Sequence, residues 1–132
     1  MASKCKGVCV MSGIDYLADT NAIIYLLGGK ECMKPFLSKK LGVSIISVME
    51  LLSYPGISSE DDSKIRSFIS MCEVINLSDD IKEKTIQVRR AYRTKLPDSI
   101  IAATAIVSNV PLITADTGIF KVEELKVEKL SP

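Results

Sequence analysis

Four acidic residues stand where the chain changes from one kind of segment to another: Asp19 in "YLADTNAIIYLL", Glu50 in "SIISVMELL", Asp98 in "KLPDSII" and Asp116 in "PLITADTGIF". Each has a local explanation. Asp is a good helix N-cap, which would account for Asp19. Ser47 and Glu50 have the spacing of a capping box, in which the Glu reaches back to the cap's N–H. Asp98 follows a Pro in what reads as a first helical turn, where the helix dipole favours an acid. Asp116 suits a turn before Gly118. Ser or Asn would serve as caps equally well, yet all four positions carry ionisable acids. Clustered carboxylates repel one another, and at least one would stay protonated near neutral pH. A divalent cation removes that conflict, and an all-oxygen ligand set suits Mg²⁺ or Mn²⁺ better than zinc. Taken together, the four favour a metal site.

The composition narrows the alternatives. The 132 residues include no His, which excludes Ser-His-Asp and Cys-His nucleophile chemistry. The four cysteines, Cys5, Cys9, Cys32 and Cys72, form no CxxC pair, so they read as idle thiols rather than a structural zinc site. Carboxylate is what remains for acid–base or metal work. A net charge of +1 does not announce a nucleic-acid binder, so any polyanion must be held by a local patch. The 47% hydrophobic and 25% charged content is that of an ordinary globular protein, expected to form one domain. No apolar run approaches the roughly 18 residues of a membrane span. The first residues lack a secretory apolar stretch, so cytoplasmic residence is expected.

These acids need a scaffold that brings them together. Apolar and β-branched runs predict strands over 14–18, 43–46, 74–77, 112–114 and 126–128. Between them, helices are expected over 20–27, 31–39, 47–53, the Ser-capped segment after Ser58, 78–94, and an Ala-rich buried stretch opening at Pro97, with a short one near 118–124. Strands alternating with helices predict an α/β domain with a mostly parallel sheet. On these boundaries Asp19, Glu50 and Asp116 each lie one to four residues beyond the carboxyl end of a strand. In open α/β sheets that edge is where ligands bind. The helix carrying Asp98 can aim a fourth carboxylate at the same place.

In the order and spacing of "YLADTNAIIYLL", "SIISVMELL", "KLPDSIIAATAI" and "PLITADTGIF", the chain resembles the PIN-domain ribonucleases, and among them the VapC-type toxins of toxin–antitoxin pairs. The resemblance runs from about Ile14 to the C-terminus. It implies a PIN domain over 14–132 behind an N-terminal extension of 1–13. It also implies a three-layer α/β/α sandwich around a mostly parallel sheet of four to five strands. The implied activity is Mg²⁺- or Mn²⁺-dependent hydrolysis of RNA phosphodiester bonds, with Asp19, Glu50, Asp98 and Asp116 forming the metal pocket. Thr114 matches the family's hydroxyl position, and Asn21 matches a polar residue near the pocket. The toxin branch further implies a homodimer and a small antitoxin that blocks the pocket. RNA backbone contacts would fall to Arg89, Arg93 and Lys95, just ahead of Asp98, although these also read as a solvated face. Arg89 and Arg93 stand at i,i+4, one helix face.

Two other readings remain. One is a PIN-like RNA- or protein-binding module without catalysis, against which all four acids speak. The other is a Mg²⁺-dependent phosphatase or phosphotransfer domain. Haloacid-dehalogenase-like enzymes need Asp-x-Asp after the first strand, and Asn21 occupies the second acid's place. No Walker-type phosphate loop is present.

Overall fold

A computed structural model describes residues 13–132. The expected extension over 1–13 falls outside them apart from Gly13, as do Cys5 and Cys9. The first strand, β1 (Tyr16–Ala18), leads through Asp19 into α1 (Thr20–Leu27), which Gly28 ends as expected. Strand β2 (Leu41–Ser44), helix α2 (Ile45–Leu52), helix α3 (Ser59–Ser70) and strand β3 (Glu73–Ile75) follow. Helix α4 (Asp79–Tyr92), helix α5 (Leu96–Ser108), strand β4 (Leu112–Thr114) and strand β5 (Val127–Lys129) complete the chain.

All five strands are parallel, in the order β3-β2-β1-β4-β5. Side chains alternate across a strand, and here the alternation feeds two separate cores. Leu17 and its β4 partner Leu112 enter a core closed by Ile81 and Val88 of α4 and by Ile100 and Ile101 of α5. Ala18 and its partner Ile113 enter the other, closed by Ala22 and Ile23 of α1, Leu51 of α2 and Phe68 of α3. The architecture is therefore a three-layer α/β/α sandwich. Gly42 permits the close packing on β2, because a Cβ there would stand 2.7 Å from Ile14 Cδ1. Each fully buried Leu or Ile is worth about 1.5–3 kcal/mol, against about 0.5–2 kcal/mol for one helix cap. The sandwich can therefore outlast the loss of any single cap.

Boundaries differ from the sequence reading at several elements, most of all in three places. Strand β2 ends at Ser44, and α2 begins at Ile45 with Ser44 as its N-cap, accepting the Ile46 N–H at 3.1 Å. Ile45 and Ile46 look like strand residues because they are β-branched, but the Ser44 cap and the tertiary packing of α2 override that preference. The segment Glu31–Phe36 forms 3₁₀ turns instead of a helix to residue 39, with Pro35 inside them and unable to donate. A second 3₁₀ turn, Thr117–Ile119, replaces the short helix expected over 118–124.

Candidate active site

Strand order places the site. The chain moves from β1 outward to β2 and β3, then returns to the opposite side of β1 to lay down β4 and β5. The carboxyl ends of β1 and β4 thus flank the point where connections diverge, and such switch points leave a crevice. Asp19 follows β1 directly, and its N–H donates to Ile113 O of β4 at 3.2 Å. Its carboxylate accepts the Ala22 N–H at 2.7 Å, capping α1. Thr114 ends β4, and its hydroxyl accepts the Asp116 N–H at 3.0 Å. Asp116 in turn accepts the Gly118 N–H at 2.9 Å. Asp98 sits in the first turn of α5, whose cap position, Lys95, makes no side-chain capping bond.

Asp19, Asp98, Asp116 and Thr114 line a single recess of about 10 Å³ over an apolar floor of Ile101, Leu112 and Ile119. That is about the space one water or one small ion needs. Asp19 is buried, with 9% of its surface exposed, Asp98 is half-buried and Asp116 is exposed. Burial pushes the Asp19 carboxyl above its ordinary value; the Thr114 hydroxyl and the Ala22 N–H pull it down, and the charges of Asp116 and Asp98 push it up again. Asp98 is also raised, first by burial, then by Asp116 and Glu50, with Lys95 acting against them. Two acids are thus held partly toward their neutral forms by low dielectric and mutual repulsion.

Glu50 stands at the border of this recess, near enough for its charge to act on Asp98. Because α2 starts at Ile45, Glu50 is six residues beyond β2 rather than within four. The expected capping box with Ser47 does not form, since Ser47 lies inside the helix and is buried. Instead the Glu50 carboxylate meets Thr20 Oγ1 at 2.6 Å, and Thr20 Oγ1 lies 2.9 Å from Ser47 Oγ. One hydroxyl carries one proton, and a carboxylate can only accept. Thr20 therefore donates to Glu50, which leaves Ser47 to donate to Thr20.

The basic residues divide. Lys95 is close enough to hold Asp98 down. Helix α4 ends at Tyr92, and Arg93 takes a left-handed backbone with φ 58°, so Arg89 and Arg93 do not continue one helix face as expected. Arg89 Nε instead donates to Thr94 O at 3.2 Å, bracing that turn. Asn21 is exposed on α1 and does not line the recess. Thr20 and Ser47 are site residues that the sequence reading passed over. Thr20 lay in view between Asp19 and Asn21, but its bond to Glu50 spans 30 positions and leaves no local trace.

Beside Thr20 and Glu50 a larger groove of about 450 Å³ opens between α1, α2 and α3, with Ile24, Leu27, Tyr54 and Ile65 among its apolar walls. Cys32 and Cys72 are free thiols. Burial raises Cys72 to about 11, which makes it a poor nucleophile.

The donor set of the recess is all oxygen, as a hard divalent cation requires. Among the described residues no three Asp, Glu or Cys side chains converge closely enough to coordinate one ion by themselves. An ion held there would complete its shell with water, as Mg²⁺ commonly does. The raised Asp19 and Asp98 carboxyls supply the electrostatic reason for a cation to enter.

The arrangement has known counterparts. The family model for the PIN domain matches residues 16–125. A chain of a toxin–antitoxin complex from Klebsiella pneumoniae superposes with a TM-score of 0.75 at 32% identity, covering 87% of this chain and 97% of that one. VapBC2 from Rickettsia felis, bound to a DNA fragment from its promoter, gives 0.77 at 20% identity, with 89% and 100% covered. VapBC-1 from nontypeable Haemophilus influenzae gives 0.77 at 21%, with 88% and 98% covered. No curated protein matches the chain. No helix among the described residues is long and apolar enough to cross a membrane. With three of its acids lining the switch-point recess of a parallel sheet and the family match spanning most of its length, the chain belongs to the PIN-domain family.

Proposed function

We propose that this PIN domain is a Mg²⁺- or Mn²⁺-dependent endoribonuclease, acting in the cytoplasm as the toxin of a toxin–antitoxin pair. The observation that carries the reading is the recess itself: Asp19, Asp98 and Asp116 line one ion-sized space, and burial together with mutual repulsion raises two of them. Asp19, Asp98 and Asp116 hold the cation directly or through water, and Glu50 does so from the border. Bound there, a divalent ion supplies an activated water at neutral pH and stabilises negative charge on the phosphoryl group.

The chain's own residues do the rest. Thr114 fixes the loop that carries Asp116. The N-termini of α1 and α5 direct their positive dipole ends toward the recess and favour phosphate oxygens there. Lys95, with Arg89, Arg93 and Asn21, contacts the RNA backbone around the cleavage point. The toxin role is supported by the 32% identity to a chain of the Klebsiella pneumoniae toxin–antitoxin complex over most of both chains. A homodimer that is blocked by a small antitoxin is the corresponding assembly. The apolar groove beside Glu50 offers an antitoxin segment a berth next to the site.

The test is cleavage of mixed RNAs by purified protein with Mg²⁺ or Mn²⁺, beside Asp19→Asn and Asp98→Asn variants. Metal-dependent cleavage that disappears in both variants supports the reading. Equal cleavage by wild type and variants identifies a contaminating nuclease and removes the reading's basis.

A further inference from the structure

We propose that Thr20 is a positioning residue: its hydroxyl, oriented by Ser47, fixes the Glu50 carboxylate at the border of the acidic recess. The proposal rests on the nuclease reading above and adds to it a residue outside the acidic set.

Glu50 needs such a device. It is exposed on the second turn of α2, six residues beyond β2, and no capping bond holds it. A long side chain on an open helix surface samples many rotamers, and most of them would carry its carboxylate away from Asp98. Among the described residues, Thr20 is the hydrogen-bond partner of that side chain, at 2.6 Å.

Thr20 is well placed to fix another group because its own backbone is fixed. It follows Asp19, whose N–H is bonded to β4 and whose carboxylate caps the helix that Thr20 begins. A carboxylate tied to Thr20 is therefore registered against β1 and β4, from which Asp19 and Asp116 come. Ser47 completes the device. It lies three residues before Glu50, on the same side of α2, and is fully buried. Its hydroxyl 2.9 Å from Thr20 Oγ1 takes one acceptor position on that oxygen and directs the Thr20 proton to Glu50. The bond uses Glu50 Oε1 and leaves Oε2 for water or an ion. A staple between α1 and α2 with no bearing on the site is the competing account, and the two differ in what they predict for ion binding.

Five proteins separate them: wild type, Thr20→Val, Thr20→Ser, Glu50→Ala and the Thr20→Val/Glu50→Ala double variant. Mn²⁺ affinity is measured by calorimetry without RNA, cleavage by kcat and KM, and unfolding by heat in EDTA. Thr20→Val is expected to weaken Mn²⁺ binding and lower kcat by roughly 10–100-fold, the usual effect of removing a ligand's hydrogen-bond partner, with KM for RNA little changed. Thr20→Ser restores both. In the Glu50→Ala background Thr20→Val adds no further loss, because the two act as one unit. Full Mn²⁺ affinity in Thr20→Val, failure of Thr20→Ser to restore it, or an equal loss in the Glu50→Ala background overturns the proposal. The EDTA measurement keeps the two readings apart. If wild type neither binds Mn²⁺ nor cleaves RNA, the nuclease reading fails and the positioning role falls with it. Independent, additive effects of Thr20→Val and Glu50→Ala on metal-free unfolding would show that the bond itself does not hold in solution, whatever the activity.

Discussion

The Asp19 carboxylate accepts the Ala22 N–H at 2.7 Å, so the residue that caps α1 is also the most buried acid of the recess. Capping and ligand roles usually compete as explanations, and here one side chain caps the helix while lining the recess. Asn keeps the capping oxygen and drops the charge, while Ala drops both. Asp19→Asn should leave the metal-free protein as stable as wild type or more so. Asp19→Ala should cost up to about 0.5–2 kcal/mol through the lost cap, offset in part by relief of a buried charge. Urea unfolding in EDTA measures both, and an Asn variant as damaged as the Ala variant would contradict the assignment.

Stability should also depend on pH in a particular direction. Asp19 and Asp98 both lie above the ordinary carboxyl value of 3.8 in the folded protein. Above that value the native state binds more protons than the unfolded chain, so stability falls as pH rises through the native values. The contribution is fully present below about 3.8 and is lost as pH rises through the raised native values. Metal-free wild type should therefore lose stability from these two groups as pH rises above about 3.8. Asp19→Asn and Asp98→Asn should each flatten the slope. A steeper slope in the variants would rule out this origin.

Adding the cation should reverse the loss. An ion that binds only the folded form at a hundred times its Kd stabilises it by about 2.7 kcal/mol. Mn²⁺ is expected to raise the Tm of wild type at neutral pH, and EDTA to reverse the change. The same addition should leave Asp19→Asn and Asp98→Asn nearly unmoved. A shift of equal size in all three would place the ion elsewhere on the surface.

Arg93 separates charge from backbone. It closes α4 with φ 58°, a conformation that costs a non-glycine residue roughly 1–2 kcal/mol. Arg93→Gly should raise thermal stability while weakening RNA binding and reducing its salt dependence. Unchanged RNA affinity across salt concentrations would remove Arg93 from the substrate path.

Much of the fold and the acidic core of the site were legible before any coordinates. The strand at 112–114, the helix over 20–27 and the buried helix opening at Pro97 stand where local signals put them. Asp19, Asp98 and Asp116 share a recess because strand ends and a helix start are strong, short-range signals. Glu50 shows where that legibility stops. Ile45 and Ile46 carry strand preference into a helix, which moved the boundary by two residues and suggested a capping box that does not exist. The contact that holds Glu50 joins residues far apart in sequence, and only the packing of α1 against α2 creates it. Arg93 was placed inside a helix because a left-handed Arg carries no compositional signal of the kind Gly would give.

Asp19 makes both the final inter-strand bond beyond β1 and the first side-chain bond of α1, at the middle strand of five. Its amide, with that of Ala22, should be among the slowest in the molecule to exchange with deuterium. The same coincidence has a practical edge for mutagenesis. A packing defect anywhere along β1 or β4 will displace the recess carboxylates before it unfolds the domain, so an activity assay alone would not distinguish a damaged core from a missing ligand.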